Sequence, residues 1–280
     1  MAGGDEMKSL MMGMLAETSL HPGSGQTTGV IDLPVAREAT TQYPVIVGSS
    51  LKGALRDKAK LEKWEEITQI FGSTDGAGGI AVADGRLLLL PIRSLSGHYR
   101  WITCPYILER LTRDLQMIGK EGLHVTLEPQ SGEVIVAKEK KGGGEGEEFL
   151  FLEELSFKRS ESEKVEDIAE GIKPLIAHES VKNRLSSQLV VLHNDDFSHF
   201  AQFGLSVQAR NSLDENKRSK SLWYEETLPP DTLFYSLLMA RPGQEERLNS
   251  LHRKLQAPSY LQIGGNETIG QGWCVLSMLD

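Results

Sequence analysis

The chain has 280 residues and a formal net charge of −9, with 30 Lys and Arg against 39 Asp and Glu. Hydrophobic residues make up 39% of it, which supports a packed core and excludes a wholly disordered chain. The most apolar stretch near the N-terminus, residues 10–15, is far shorter than the ~20 residues needed to cross a bilayer. The composition therefore predicts a soluble cytoplasmic protein with no membrane partner.

The two cysteines, Cys104 and Cys274, lie far apart in the sequence and form no CxxC motif. A disulfide framework or a structural zinc site therefore has no support. We expect both cysteines to be buried thiols.

The predicted elements of the first half follow one another in a simple order. They are a buried strand at 8–18, a long loop at 19–41, a helix from about 48 to 71 that a serine (Ser49 or Ser50) caps, strands at 80–82 and 86–92 around an Asp84-Gly85 hairpin turn, and a helix at 104–118. Residues 138–170 interrupt this order with 11 acidic and 6 basic residues, so this segment carries −5 of the −9. Its glycine-rich start at 142–146 and its dense charge are typical of a flexible surface loop followed by a solvated amphipathic helix.

The second half continues the alternation of strands and helices. The pattern predicts strands at 172–176, 189–192, 204–210, 232–239 and 273–279, and helices at 195–203 and 244–256. Interleaved elements on both sides of an insertion indicate an α+β sheet with helices on one face, of the ferredoxin-like split βαβ type.

One face of the helix that follows Gly48 is basic. At about 100° per residue, Lys52, Arg56 and Lys60 share an arc that points away from the apolar positions. An ordinary solvated helix face has the same spacing. However, Lys52 and Arg56 lie in the first turns, and the free N–H groups of a helix N-terminus favour an anion such as a phosphate. Both interpretations remain open from the sequence.

A glycine-rich run precedes the last predicted strand, with Gly264, Gly265, Gly270 and Gly272 among ten residues. So many glycines indicate a backbone that turns tightly and approaches another group closely. Successive backbone N–H groups can also form a nest that binds an anion. A phosphate-binding loop and a plain turn are the two interpretations, and no Walker, Rossmann, HExxH or GxSxG signature is present to decide between them.

Several segments together resemble the RAMP superfamily of CRISPR proteins. They are Leu20-His21-Pro22-Gly23-Ser24-Gly25, Ile31-Asp32-Leu33-Pro34-Val35-Ala36-Arg37-Glu38, the Tyr43-Pro44 segment that continues through Gly48-Ser49-Ser50-Leu51-Lys52 to Arg56, and the glycine-rich run at 264–272. Within that superfamily, residues 222–235 resemble the backbone subunit of type III-B (Cmr) effector complexes. The resemblance implies one RAMP domain over 1–280. In it, an RRM-like (ferredoxin-like) palm covers about 8–86 and 171–280, helical insertions cover about 87–170, and a thumb β-hairpin covers about 207–221.

The resemblance also implies a function. Copies of such a subunit stack into a filament along a guide (CRISPR) RNA, join the other subunits of the type III-B ribonucleoprotein complex, and capture complementary target RNA in antiviral defence. The implied activity is a metal-dependent endoribonuclease that cleaves the target at regular intervals within the assembled complex. Because no RNP aromatic motif is present, we expect guide binding through phosphates, which carry no sequence information. A non-catalytic guide-RNA-binding filament subunit is the alternative, and a metabolic enzyme with a nucleotide in the glycine-rich loop is more distant.

Residue roles carried over by the resemblance centre on Asp32, at the position of the family's cleavage aspartate. Asp32 would help to hold a divalent metal ion, Mg or Mn, or would orient or deprotonate the attacking 2′-hydroxyl. The candidates for catalytic support are His21, Glu225 and Glu226. The candidates for RNA binding are Ser49, Ser50, Lys52, Arg56, Gly264, Gly265, Gly270 and Gly272, with Arg210, Lys217, Arg218 and Lys220 on the thumb.

Overall fold

The computed structural model describes residues 9–26, 28–123, 125–138, 148–256 and 259–279. Its strands are β1 Ser9–Ala16, β2 Val45–Ile46, β3 Gly72–Ser73, β4 Gly76–Ala77, β5 Ile80–Val82, β6 Gly85–Arg93, β7 Tyr99–Thr103, β8 Glu133–Val136, β9 Phe149–Leu152, β10 Leu155–Glu161, β11 Leu189–Leu192, β12 Ser206–Leu213, β13 Ser219–Thr227, β14 Leu233–Ala240, β15 Ser259–Gln262 and β16 Trp273–Leu279. Its α-helices are α1 Gly48–Leu61, α2 Ile67–Phe71, α3 Pro105–Met117, α4 Lys164–Ile172, α5 Glu179–Gln188, α6 Asn194–Phe203 and α7 Glu245–Leu255, and 3-10 turns cover Lys173–Leu175 and Glu267–Ile269.

Most of the strands form one mixed sheet in the order β15-β16-β1-β14-β6-β7-β11-β8-β10-β9. Neighbouring strands are antiparallel except for the parallel pairs β7–β11 and β8–β10. A large mixed sheet with helices agrees with the predicted α+β class. The palm boundary expected at residue 86 falls inside β6, which pairs with β14.

Strand β1 is buried from Leu10 to Ala16, so side chains on both of its faces are covered. On one face, a Cβ at Gly13 would stand 2.0 Å from the carbonyl oxygen of Leu175, so the 3-10 turn crosses the strand there. Tyr235, which pairs with Gly13, reaches Asp114 of α3 with its hydroxyl at 2.8 Å. Gly13 and Tyr235 are directly paired, so these two contacts lie on the same face of the sheet. The burial of Leu10, Met12 and Met14 shows that the other face of β1 is covered as well. The arrangement of helices on one face stays a prediction.

The predicted hairpin between the strands at 80–82 and 86–92 is wrong. β5 and β6 do not pair with each other; both pair with β14, as the register Val82↔Leu238 and Arg86↔Tyr235 shows. Asp84 lies in the break between them, and its Oδ1 accepts a hydrogen bond from the N–H of Gly48 at 2.7 Å. This carboxylate caps α1 from a distant strand break, whereas the predicted serine cap makes no such bond.

Two predicted elements have different boundaries for identifiable reasons. The helix expected to reach residue 71 ends at Leu61, because Lys63 adopts a left-handed φ of 55° and turns Trp64 into the core. The strand expected at 172–176 is the end of α4 followed by a 3-10 turn. Its apolar residues continue the helical stripe of Val165, Ile168 and Ile172, which is buried.

The glycine-rich stretch expected at 142–146 lies outside the described residues. The acidic residues after it form β9, β10 and α4, so the amphipathic helix is present but two strands precede it. The expected thumb is a separate two-stranded hairpin, β12–β13, which pairs from Ser206↔Thr227 to Leu213↔Ser219.

The cysteines and the lengths of the helices bear on two further expectations from the sequence. Both cysteines are buried, as predicted, and burial raises the pKa of Cys104 to about 11 and that of Cys274 to about 12. Within the described ranges, no helix is both long and apolar enough to span a membrane.

Candidate functional site

The long loop before α1 is attached to the base of the hairpin β12–β13. The backbone N–H of Tyr224 donates a hydrogen bond to Oδ2 of Asp32 at 2.7 Å. Leu33 donates its N–H to the carbonyl oxygen of Tyr224, and Glu226 donates its N–H to the carbonyl oxygen of Leu33, both at 3.0 Å. The loop thus adds a short parallel bridge to β13. These contacts fix Asp32 beside a strand that lies 192 residues later in the sequence.

His21 is attached to the same strand. Its Nδ1 donates a hydrogen bond to the carbonyl oxygen of Glu226 at 2.7 Å, and the ring is buried. Because a carbonyl oxygen only accepts, Nδ1 carries the proton and Nε2 is the acceptor in the neutral ring. The attachment points of Asp32 and His21, at residues 224 and 226, are about 7 Å apart along β13. The structure therefore brings two of the predicted residues to one short stretch of strand.

The two predicted glutamates hold the surrounding loops. Glu226 accepts from Arg37 Nη2 at 2.6 Å and from the N–H of Val35 at 3.0 Å. Glu225 accepts from Asn266 Nδ2, and Arg210 Nη2 lies 3.5 Å from the same oxygen. Both carboxylates are almost fully buried and paired. Glu225 and Glu226 thus support the site as anchors and are not free bases.

The glycine-rich run forms a loop that packs on the His21 segment. A Cβ at Gly264 would stand 2.3 Å from the carbonyl oxygen of His21, and the N–H of Gly265 donates to that oxygen at 3.0 Å. Gly270 and Gly272 donate their N–H groups to Glu267 and Ser19, both at 2.9 Å. The close approach expected from the glycines is thus to this chain itself. Because these three N–H groups are occupied, they do not form the open anion nest considered from the sequence.

A cleft of about 510 Å³ separates the glycine-rich loop from α1. Three of the predicted RNA ligands line it: Ser50, Gly264 and Gly265. Ser49, Lys52 and Arg56 do not line the cleft. At about 100° per residue, Ser49 and Arg56 lie roughly 100–120° around α1 from Ser50, and Lys52 lies roughly 160° from it. The Nε atom of Arg56 is buried and has no hydrogen-bond partner among the described residues. Arg56 therefore lies on a neighbouring face of α1, and Lys52 lies on the side of the helix nearly opposite the cleft.

The four predicted thumb cations occupy two separate places. Arg210 lies midway along the hairpin, opposite Trp223 and near Glu225, whereas Lys217, Arg218 and Lys220 are exposed at or beside the tip. At the tip, Asp214 Oδ1 accepts from the N–H groups of Asn216 and Arg218 at 2.8 Å. Arg210 is three residues from Leu213 at the tip end of β12, roughly 10 Å along the strand.

The donor set at Asp32 is small. Across the described ranges, no three side chains of His, Cys, Asp or Glu converge on a common point. The protein alone thus offers a divalent ion one carboxylate here. This matches the way Mg²⁺ is bound at phosphoryl sites, where one or two carboxylates are completed by substrate phosphates and water.

Three groups that build the site were not found from the sequence: the backbone N–H of Tyr224, the side chain of Arg37 and the side chain of Asn266. Arg37 also donates to the carbonyl oxygen of Ala201 at 2.6 Å, which ties the loop to α6. A backbone N–H has no sequence signal. Arg37 and Asn266 stand within the motifs that carry the resemblance, but their partners lie far away in the chain.

Comparison with known proteins places this architecture in a family. The RAMP superfamily model matches residues 14–275. The chain belongs to the RAMP superfamily. It is 33% identical to the CRISPR system Cmr endoribonuclease Cmr4 of Pyrococcus furiosus, over 98% of this chain and 97% of the relative, which shows membership of the Cmr4 family within the RAMP proteins. The resemblance inferred from the motifs is thereby confirmed.

Solved RAMP structures show the same fold. The crystal structure of oligomeric Cmr4 from Pyrococcus furiosus superposes with a TM-score of 0.79 at 29% identity, covering 98% of each chain. A chain of the type III-B Cmr-beta complex, solved by cryo-electron microscopy with cognate target RNA, superposes with a TM-score of 0.75. That chain is 21% identical over 96% of both chains, so this likeness concerns the fold alone.

Proposed function

We propose that this chain is a backbone subunit of a type III-B CRISPR ribonucleoprotein complex that binds guide RNA and cleaves complementary target RNA as an endoribonuclease in antiviral defence. The observation that carries the proposal is the Asp32 carboxylate held by the N–H of Tyr224 at the base of a projecting hairpin. The relative at 33% identity, a Cmr endoribonuclease, supports the activity. The oligomeric crystal structure of a relative supports a filament of copies, which would join the other subunits of the complex.

We infer the finer architecture from the same comparison. The strands β1, β14, β6 and β16 form the centre of an RRM-like palm over about 8–86 and 171–280, with insertions at about 87–170. The hairpin β12–β13 is the thumb, because within the described chain its two strands pair with each other and with no strand of the main sheet. The whole chain is one RAMP domain, since its buried residues form one continuous core.

Guide RNA binds at the cleft between α1 and the glycine-rich loop. Ser50, Gly264 and Gly265 line the cleft, and Lys52 and Arg56 provide positive charge on other faces of the same helix. Contacts of this kind reach phosphates and sugars and carry no base information, as a subunit that accepts any guide requires. The N–H groups of Gly265, Gly270 and Gly272 are occupied within the chain, so these glycines shape the loop that borders the cleft and do not bind phosphates through their backbone.

Asp32 acts on the target strand. Its Oδ2 is held by Tyr224, which leaves Oδ1 to orient or deprotonate a 2′-hydroxyl for attack on the adjacent phosphorus. The new P–O2′ bond replaces the P–O5′ bond, so the products are a 2′,3′-cyclic phosphate and a 5′-hydroxyl that takes its proton from water. The thumb splays the target so that one phosphodiester reaches in-line geometry, and this positioning supplies the larger part of the catalysis. A bound Mg²⁺ or Mn²⁺, held by Asp32 together with RNA phosphate oxygens and water, would supply Lewis-acid stabilisation of the developing charge.

The test is Asp32→Asn in the assembled complex, scored for target binding and for cleavage with and without Mg²⁺ or Mn²⁺. Asparagine keeps an oxygen that accepts from Tyr224, so we expect unchanged target affinity and a cleavage rate lower by about 10²-fold or more. Asp75→Asn, an exposed carboxylate on the β3–β4 turn, is the matched control. Undiminished cleavage by Asp32→Asn would remove Asp32 from the mechanism and favour the non-catalytic guide-RNA-binding subunit.

A further inference from the structure

Asn266 links the glycine-rich loop to the base of the hairpin. Its Nδ2 donates one hydrogen bond to Oε1 of Glu225 and another to Oε1 of Gln271, the latter at 2.9 Å. Glu225 is only 2% exposed, and its other partner, Arg210, lies at 3.5 Å, where an ion pair is weak. The amide of Asn266 is therefore the main group that satisfies this buried carboxylate.

Glu225 directly follows Tyr224, whose N–H holds Asp32. Alternating side chains along β13 put Glu225 and Glu226 on opposite faces, so the strand is anchored on one face to the glycine-rich loop and on the other to the loop that carries Asp32. The anchor on Glu225 and the N–H that binds Asp32 are thus one residue apart on the same strand. One continuous series of contacts thus runs from Asn266 through Glu225 and Tyr224 to Asp32.

We propose that Asn266 is a positioning residue for RNA cleavage. Through Glu225 it fixes the backbone of β13, and with it the Asp32 carboxylate, at a set distance from the loop that borders the guide cleft. The inference rests on the proposed function, in which Asp32 cleaves the target and this loop borders the guide. It assigns Asn266 an effect on the rate of cleavage, with no contact to RNA required.

The backbone of Asn266 has a second role that the test must keep intact. The residue adopts a left-handed conformation with φ 65° and ψ 26°, which Asn and Asp tolerate better than most side chains. Its carbonyl oxygen accepts from the N–H groups of Ile269 and Gln271. Asn266→Asp preserves size and backbone preference but turns a carboxylate toward Glu225, so two negative charges repel each other where a hydrogen bond was.

The reciprocal exchange restores the bond. In the double variant Glu225→Gln/Asn266→Asp, the amide of residue 225 donates to the carboxylate of residue 266, and the pair again carries one negative charge. This double variant distinguishes a lost contact from a damaged loop, because both variants contain the same Asp at 266. It also removes the Glu225 carboxylate, so recovery of activity excludes Glu225 as a catalytic group.

The experiment measures single-turnover cleavage and target affinity in the assembled complex. We expect Asn266→Asp to slow cleavage about 10- to 100-fold, as a misplacement of a reacting group does, with target affinity unchanged. We expect the double variant to return to within about threefold of the unsubstituted complex, since the hydrogen bond is re-formed. Asn183→Asp, on the exposed side of α5, is the matched control. Unchanged cleavage by Asn266→Asp, or a double variant as slow as the single one, would overturn the proposal.

A second readout separates this proposal from the proposed function. Amide hydrogen exchange across residues 206–227 reports the anchoring of the hairpin without any cleavage. We expect faster exchange at the base of β13 in Asn266→Asp and recovery in the double variant; equal exchange in all three proteins would refute the anchoring. If the unsubstituted complex cleaves no RNA, the nuclease assignment fails, and the exchange pattern still decides whether Asn266 anchors β13.

Discussion

Gly264 lies directly against the backbone of His21. A Cβ at residue 264 would stand 2.3 Å from the carbonyl oxygen of His21 and 2.7 Å from its carbonyl carbon, and the φ of Gly264 is +83°. We predict that Gly264→Ala forces the glycine-rich loop away from His21. The free energy of unfolding should fall by about 2–3 kcal/mol, from backbone strain and overpacking together, and guide RNA should bind more weakly. Urea denaturation and filter binding measure the two effects.

Gly270→Ala is the control for this substitution. Gly270 has nearly the same φ, +80°, but no atom lies within 4 Å of the place that a Cβ would occupy. Alanine at residue 270 should therefore cost only the about 1–2 kcal/mol that an L-residue loses in the left-handed conformation. Equal losses in the two variants would show that the contact with His21 does not matter.

The two cations in the first turns of α1, Lys52 and Arg56, should contribute to guide affinity. We predict that Lys52→Ala and Arg56→Ala each weaken binding to the same extent for guides of different sequence. Each substitution should also make the slope of log K against log salt less steep by roughly 0.7–0.9. The reason is that a guide with one phosphate contact fewer releases fewer counterions when it binds. Lys182→Ala on α5 is the control. Unchanged affinity of both variants at moderate salt would mean that this face of α1 is only solvated.

The tip of the hairpin should act on the target and not on the guide. Leu213 pairs with Ser219, so residues 214–218 can be replaced by an Asn-Gly turn that keeps the strands joined. We predict intact guide binding and an altered pattern of target cleavage, because Lys217 and Arg218 are lost while the base at Glu225 is untouched. A gel that resolves cleavage positions along a target provides the measurement. An unchanged pattern together with unchanged target affinity would count against the thumb assignment.

Asp84 should stabilise the start of α1. We predict that Asp84→Ala lowers the free energy of unfolding by about 1 kcal/mol, the usual cost of removing a cap. Ser49→Ala and Ser50→Ala should each change it by less than about 0.5 kcal/mol, as substitutions of exposed residues do. Thermal denaturation of the three variants tests this difference, and a larger loss at either serine would contradict it.

Much of the fold could be predicted from local pattern. The strands β5, β11 and β16 have the predicted boundaries, since each is an apolar run with clear ends. α5 was missed because it buries only Val181 and Leu185 and is otherwise polar, which leaves little periodic signal. The hairpin predicted around Asp84 was wrong because the same turn residues occur in two situations. They are found where the chain reverses between two paired strands, and also where it breaks between two strands that both pair with a third.

The contacts of the candidate site could be predicted from the sequence even less than the fold. The position of Asp32 in a long loop could be predicted by resemblance, but its partner Tyr224 contributes only a backbone N–H from the other end of the chain. Glu225 and Glu226 were expected to support catalysis through their carboxylates. Their actual partners, Asn266 and Arg37, can be identified only after the chain is folded, because nothing in the spacing of residues 37, 225, 226 and 266 indicates contact.

The strand order separates the charges of the molecule. The glycine-rich loop joins β15 and β16, at one end of that order, whereas the acidic segment contributes β9 and β10, at the other end. We expect a polyanion to be repelled by the second end and attracted by Lys52 and Arg56 of α1, the helix that packs against β15 at the first end. The field therefore selects the orientation of encounter before any contact forms, and it does so in a chain whose total charge is negative.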